Sequence, residues 1–309
     1  MRTLLRAGVL TLAAGSLLLG STVAAQAAPA GTITIKADTR LVLQPAEFGH
    51  TALFTVSFHN TSDQPYSGDV TFTEPIAQSA AVTDQLGACG LGQTPDRRTI
   101  YNCGLDPIQP GETRLVELPF VVPAKPQPFA QIAPDLGTIE AGGSTVSFAA
   151  IFQSTTGSTS NPVPYEQDTT AALTVTAGDV VLRRQADGTF QGLVPVTVRN
   201  NGDAPHHDLD AEIALPAGIE DWPDLDVADG CTGGGVLPRP PGGATNGCSV
   251  TGGKLAEGQQ RNLVWTVKAP AGSVPGSLGA GTALVLLNGG AARQTDGGDQ
   301  DTFTVTIAP

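Results

Sequence analysis

From residue 32 onward the chain is a succession of short runs in which apolar and polar side chains alternate, each ended by Gly, Pro, Asn or Asp. A period of two puts successive side chains on opposite faces of an extended strand, and the punctuation supplies turns. Phe54-Thr55-Val56-Ser57-Phe58-His59, stopped by Asn60, and Val194-Pro195-Val196-Thr197-Val198-Arg199, stopped by Asn200, show the pattern most clearly. No window beyond the N-terminal segment sustains a helical period. The pattern predicts strands over 32–36, 40–44, 52–59, 68–74, 98–102, 113–122, 144–152 and 169–176, then 180–184, 192–199, 208–214, 261–268, 282–287 and 302–307. With 38 Gly, 24 Pro and one Met in 309 residues, a helical bundle is excluded and an all-β fold of sandwich type is expected.

Four landmarks occur twice in the same order. The first is the strand ending in Asn60 or Asn200, with a turn that carries Asp and Pro. The second is a cysteine pair, Cys89 with Cys103 and Cys231 with Cys248. The third is a Gly turn and strand, Pro110-Gly111-Glu112 before Leu115 and Glu257-Gly258-Gln259 before Leu263. The fourth matches Gln167-Asp168-Thr169 before Leu173 to Gln300-Asp301-Thr302 before Phe303. Such repetition predicts two tandem immunoglobulin-like β-sandwiches, copy one over 28–177 and copy two over 178–309. A junction as short as Ala177-Gly178-Asp179 leaves little hinge freedom. Trp265 alternates with Leu263 and Val267, which makes it a core side chain rather than a ligand platform.

Residues 1–27 read as a secretory signal peptide. Arg2 and Arg6 precede the apolar run Ala7 to Leu19, and Ala25-Gln26-Ala27 fits the small-x-small cleavage rule. That run is shorter than the roughly 20 residues needed to cross a bilayer. The expected mature chain therefore starts at Ala28, has no membrane span and is released, secreted or associated with the cell surface.

The Asn200 to Pro205 turn, the following Leu215-Pro216-Ala217-Gly218-Ile219 and the cysteine pair before a Gly-turn strand resemble bacterial immunoglobulin-like repeat domains. These are the conserved-repeat and cell-adhesion-related (CARDB-type) families of secreted and surface proteins. The resemblance implies an extracellular structural or adhesive role and transfers no catalytic residue. Copy one departs from it where Thr61-Ser62 replaces the Gly step.

Four cysteines allow three pairings. Repetition favours one bond inside each copy, Cys89–Cys103 and Cys231–Cys248, and export makes disulfides the expected state. Neither pair forms a C-x-x-C redox or metal motif.

The chain carries 16 basic and 29 acidic residues, a net charge of −13. Phosphate neutralisation needs a basic footprint, so nucleic acid is excluded as a partner. Acidic side chains concentrate over 203–229. There, Asp224, Asp226 and Asp229 are candidate calcium ligands, although their spacing departs from that of an EF-hand loop. Trp222, between Asp221 and Pro223, is a candidate platform for a sugar ring, and Asp296, Asp299 and Asp301 form a second acidic turn. His206-His207-Asp208 has ligand chemistry, but neighbours on a strand face opposite ways, and Asp208, Asp210 and Glu212 are expected on a solvated outer face. Asn60-Thr61-Ser62 is a glycosylation sequon. Hydrolase, metalloprotease, Walker and dinucleotide motifs do not occur. The expected function is a non-catalytic structural or adhesive module without a cofactor, its partner an extracellular protein or polysaccharide. The alternative is carbohydrate or calcium binding through the acidic loops of copy two.

Overall fold

The computed structural model describes residues 33–81, 83–220, 223–289 and 298–309, and the strands among them belong to two separate sheet systems. The first holds β1 (Ile33–Ala37), β2 (Arg40–Ala46), β3 (Gly49–Asn60), β4 (Asp69–Thr73), β5 (Cys89–Gln93), β6 (Thr99–Gly104), β7 (Thr113–Val122), β8 (Gln131–Ala141), β9 (Ser144–Phe152) and β10 (Val163–Pro164). The second holds β11 (Leu173–Ala177), β12 (Val180–Arg184), β13 (Phe190–Asn200), β14 (Leu209–Leu215), β15 (Asp224–Leu225), β16 (Ala228–Gly233), β17 (Ala244–Val250), β18 (Gln260–Ala269), β19 (Gly276–Leu287) and β20 (Gln300–Ile307). The fold is all-β, as the alternation predicts.

Each system closes into two layers because its second strand changes sheet. Arg40–Leu43 of β2 runs parallel to β9, and Gln44–Ala46 then pairs antiparallel with β3. β12 does the same, parallel to β20 through Val180–Leu182 and antiparallel to β13 through Arg183–Arg184. The rest of the pairing also corresponds, apart from two-residue β10 on β8 and two-residue β15 on β18, which have no counterpart. β3 carries β1 and β7 as β13 carries β11 and β18, and the run β9-β8-β4-β6-β5 corresponds to β20-β19-β14-β17-β16. Between the layers lie two separate cores. Phe54, Phe72, Phe120 and Phe148 pack on one another in the first, and Trp265 is fully buried in the second, as its alternation requires.

The pairing corrects the boundary between copies. The strand expected to end copy one, Leu173–Ala177, pairs with β13 and puts Leu173 and Val175 into the second core. Its counterpart is β1, and the counterpart of β20 is β9, so the fourth landmark aligned unrelated strands. Thr-Val-Thr alternation makes a strand without naming its sheet. The other strand-end landmark has a clear physical basis. Asn60 and Asn200 are both completely buried. Asn60 Nδ2 donates to Ile108 O at 2.8 Å and Asn200 Nδ2 to Leu255 O at 2.7 Å, while Oδ1 of each accepts the amide of the residue two ahead. Each side chain thus ties a strand end to a distant loop, and burial of Asn60 is inconsistent with a glycan on its amide. Gly202 stands where copy one has Ser62 because a Cβ there would meet Asp168 Oδ2 at 2.3 Å.

Candidate functional site

Both cysteine pairs form disulfides as predicted, Cys89–Cys103 and Cys231–Cys248. Each joins directly opposed residues of an edge strand and its neighbour, β5 to β6 and β16 to β17.

The acidic candidates of the second sandwich are not gathered around one point. Asp224 is exposed on β15, and Asp229 is exposed on β16. Asp226 docks the loop between them, its Oδ1 accepting Val264 N at 3.0 Å while its own amide donates to Val264 O at 3.1 Å. Among the described residues no group of three or more His, Cys, Asp or Glu is placed to hold a metal ion. Trp222, Asp221 and Asp296 lie outside the described residues. Asp301 accepts Ala177 N at 2.9 Å and so fastens β11.

The two histidines diverge. His206 is completely buried, and its Nε2 accepts Leu255 N at 3.1 Å, which leaves the proton on Nδ1 to donate to Ala204 O at 2.9 Å. Burial lowers its pKa to about 4, while His207 is exposed with its ring over Gly289. Glu212 corrects the expected outer face. It is buried, and its carboxylate accepts the amides of Val236 and Leu237 at 2.7 and 2.8 Å. Glu74 does the same in the first sandwich, accepting from Gln78, Ser79, Ala80 and Thr99.

The sandwiches meet through a polar junction built from landmark residues Asp203, Asp168 and Glu257 and from Tyr165, Lys254 and Gln78, which carried no motif. Tyr165 donates its hydroxyl to Asp203 Oδ2 at 2.5 Å, and Asp168 N donates to Asp203 Oδ1 at 2.9 Å. Burial raises the pKa of Asp203, and burial with the Asp203 charge raises that of Tyr165. On another side of the junction Lys254 donates to Val121 O at 3.0 Å and to Gln78 O, and burial lowers its pKa to about 8. Gln78, at φ +52°, adopts a left-handed backbone that only a surrounding network sustains. Glu257 completes the contact, its amide donating to Pro123 O at 2.7 Å and its carboxylate accepting Lys125 N at 3.0 Å.

Beside this junction, within the first sandwich, lies a cleft of about 330 Å³. It opens where β4 stops. Thr73 pairs with Ile100 on one side and Thr138 on the other, then the chain leaves the sheet at Glu74-Pro75. β8 continues past that point through its bulge between Ile132 and Leu136, which leaves a gap one strand wide. Arg98 spans the gap, donating to Glu74 O at 3.3 Å and Leu136 O at 3.0 Å, with Asp96 on its Nε and Asp135 at 3.9 Å. Pro75, Ile76 and Ala77 form one wall, Pro134 and Asp135 the second, and Pro164 to Gln167 the third.

No protein-family model matches the chain, and no curated protein does. Solved structures give distant likenesses only. A protein of unknown function from Porphyromonas gingivalis W83 aligns at TM-score 0.20 and 11% identity over 90% of this chain and 99% of that one. The Yersinia pseudotuberculosis adhesin InvE aligns at 0.23 and 12%, over 90% of this chain and 61% of the adhesin. Red sea bream transglutaminase aligns at 0.20 and 10%, over 90% of this chain and 31% of the enzyme. Likeness at this level transfers no property to the present chain.

Proposed function

We propose that this chain is a secreted, non-catalytic structural or adhesive module, two copies of one sandwich, that acts through surface contact. The observation that carries the reading is the pair of disulfides, one in each sandwich, since such bonds persist in oxidising compartments outside the cytosol. The fate of the buried ionisable groups supports it. His206, Glu74, Glu212 and Asp203 all hold backbone amides or carbonyls in place, which is a structural use of groups that could otherwise do chemistry. The signal-like first 27 residues and the resemblance to bacterial repeat domains point the same way.

The test is expression of the full chain in a bacterial host, with fractionation, N-terminal sequencing and thiol counting. The expected product is in the medium, begins at Ala28 and has no reactive thiol before reduction. Retention in the cytoplasm with four free thiols would overturn the reading.

A further inference from the structure

We propose that the cleft at the end of β4 receives a basic side chain, arginine before lysine, from an extended segment of a partner protein. The inference rests on the surface-contact reading above and specifies where the contact is made. Neighbouring strands lie about 4.8 Å apart, so where β4 is missing the backbones of β8 and of the turn before β6 stand about 10 Å apart, with Arg98 bridging part of the space between them. That is wide enough for one side chain but not for a folded element. The walls are apolar and short of donors: Pro75, Pro134 and Pro164 have no N–H, and Ile76 and Ala77 extend the first wall. An aliphatic stem would lie along such a surface with its charged head at the rim. The charge there is unbalanced. Asp96, Asp135 and Glu166 line the cleft against one cation, Arg98, which already holds two carbonyls and Asp96. Asp135 stands 3.9 Å from that guanidinium with its side chain 47% exposed, and Glu166 is exposed, so both can turn to an incoming cation. A planar guanidinium can meet carboxylates through paired hydrogen bonds, which favours arginine. The net charge of −13 would draw basic segments toward the whole surface.

The probe is the tripeptide N-acetyl-Pro-Arg-Pro-amide, compared with its citrulline counterpart, which keeps the planar shape but removes the charge and replaces one terminal NH2 donor with a carbonyl acceptor. Calorimetric titration of the full chain should detect the arginine peptide and not the citrulline one, with affinity falling as salt rises. Asp135→Asn with Glu166→Gln, same-shape neutral replacements at a part-exposed and an exposed position, should weaken binding about tenfold or more while shifting the melting temperature little. Equal binding of the two peptides, undiminished binding to the double variant, or no heat from the arginine peptide would each overturn the proposal. None of these results would bear on whether the chain is exported or disulfide-bonded.

Discussion

His206 shows how one side chain can tie stability to pH without taking part in chemistry. Its two nitrogens already serve Leu255 N and Ala204 O, so protonation would remove an acceptor from a completely buried position. The folded protein holds it neutral down to about pH 4, whereas the unfolded chain takes up the proton near 6.5. Its contribution is therefore complete above pH 6.5 and is lost as pH falls toward 4, a loss of about 3 kcal/mol. His207, exposed but lowered by partial burial of its ring and by the Lys254 charge, acts in the same direction. Asp203 opposes them, since a carboxyl raised by burial contributes below its unfolded value and loses that contribution as pH rises through the folded one. Denaturant unfolding at several pH values, for the wild type and His206→Gln, isolates the residue. The slope between pH 6.5 and 4 should be shallower in the variant, and an unchanged slope would mean that His206 titrates normally. The sequence presented His206 as a possible ligand because adjacency is visible in a sequence, whereas the partner 49 positions away is not.

At the scale of the element, the two disulfides sit on strands at the edge of each sheet. β5 and β16 each have a single neighbour, and β16 exposes most of its Ala-Asp-Gly-Cys-Thr-Gly sequence. Opening a cross-link around a loop of this size should cost about 3 kcal/mol. Replacing Cys231 and Cys248 by Ala should therefore lower the unfolding midpoint, and hydrogen exchange should accelerate first over 228–233 while β13 and β18 stay protected. Uniform acceleration across the second sandwich would show that the bond supports the core rather than the edge. The same weakness explains which strands the sequence reveals. β3, β7, β13 and β18 alternate cleanly because one face of each meets a core. β5 and β16 do not, being Gly-rich, and β17 does not because its Asn246 is buried to donate to Pro223 O. β8 is masked by Pro134 at its bulge and by Gly137, where a Cβ would meet the Phe148 ring at 2.3 Å. Gly281 under Phe303 repeats that arrangement at 2.4 Å in the second sandwich. A glycine that reads as a strand breaker is here the space into which the neighbouring aromatic folds. The cleft was illegible for a related reason: it arises where a strand ends, from four segments that share no local pattern.

For the molecule from Gly31 to Pro309, the question is whether two sandwiches unfold as one. The short stretch Ala177-Gly178-Asp179, read from the sequence as the linker, joins β11 to β12 inside the second sandwich. The restraint comes instead from the polar junction, which fixes Lys254 against the first sandwich and Asp203 against Tyr165 and Asp168. Hydrogen bonds to charged groups contribute about 1.5–3 kcal/mol each, and a buried partner left unsatisfied costs a similar amount. A few such bonds are comparable with the roughly 5–15 kcal/mol that holds a domain folded, so the halves should couple. Calorimetry of the wild type should show one transition whose calorimetric and van't Hoff enthalpies agree. Lys254→Met with Asp203→Ala removes both anchors without entering either apolar core. It should split or broaden that transition, raising the ratio of calorimetric to van't Hoff enthalpy, while both disulfides remain intact. Two resolved transitions in the wild type would mean that the junction orients the sandwiches without coupling their unfolding. A single sharp transition in the double variant would instead move the coupling to Glu257 and its bonds to Pro123 and Lys125.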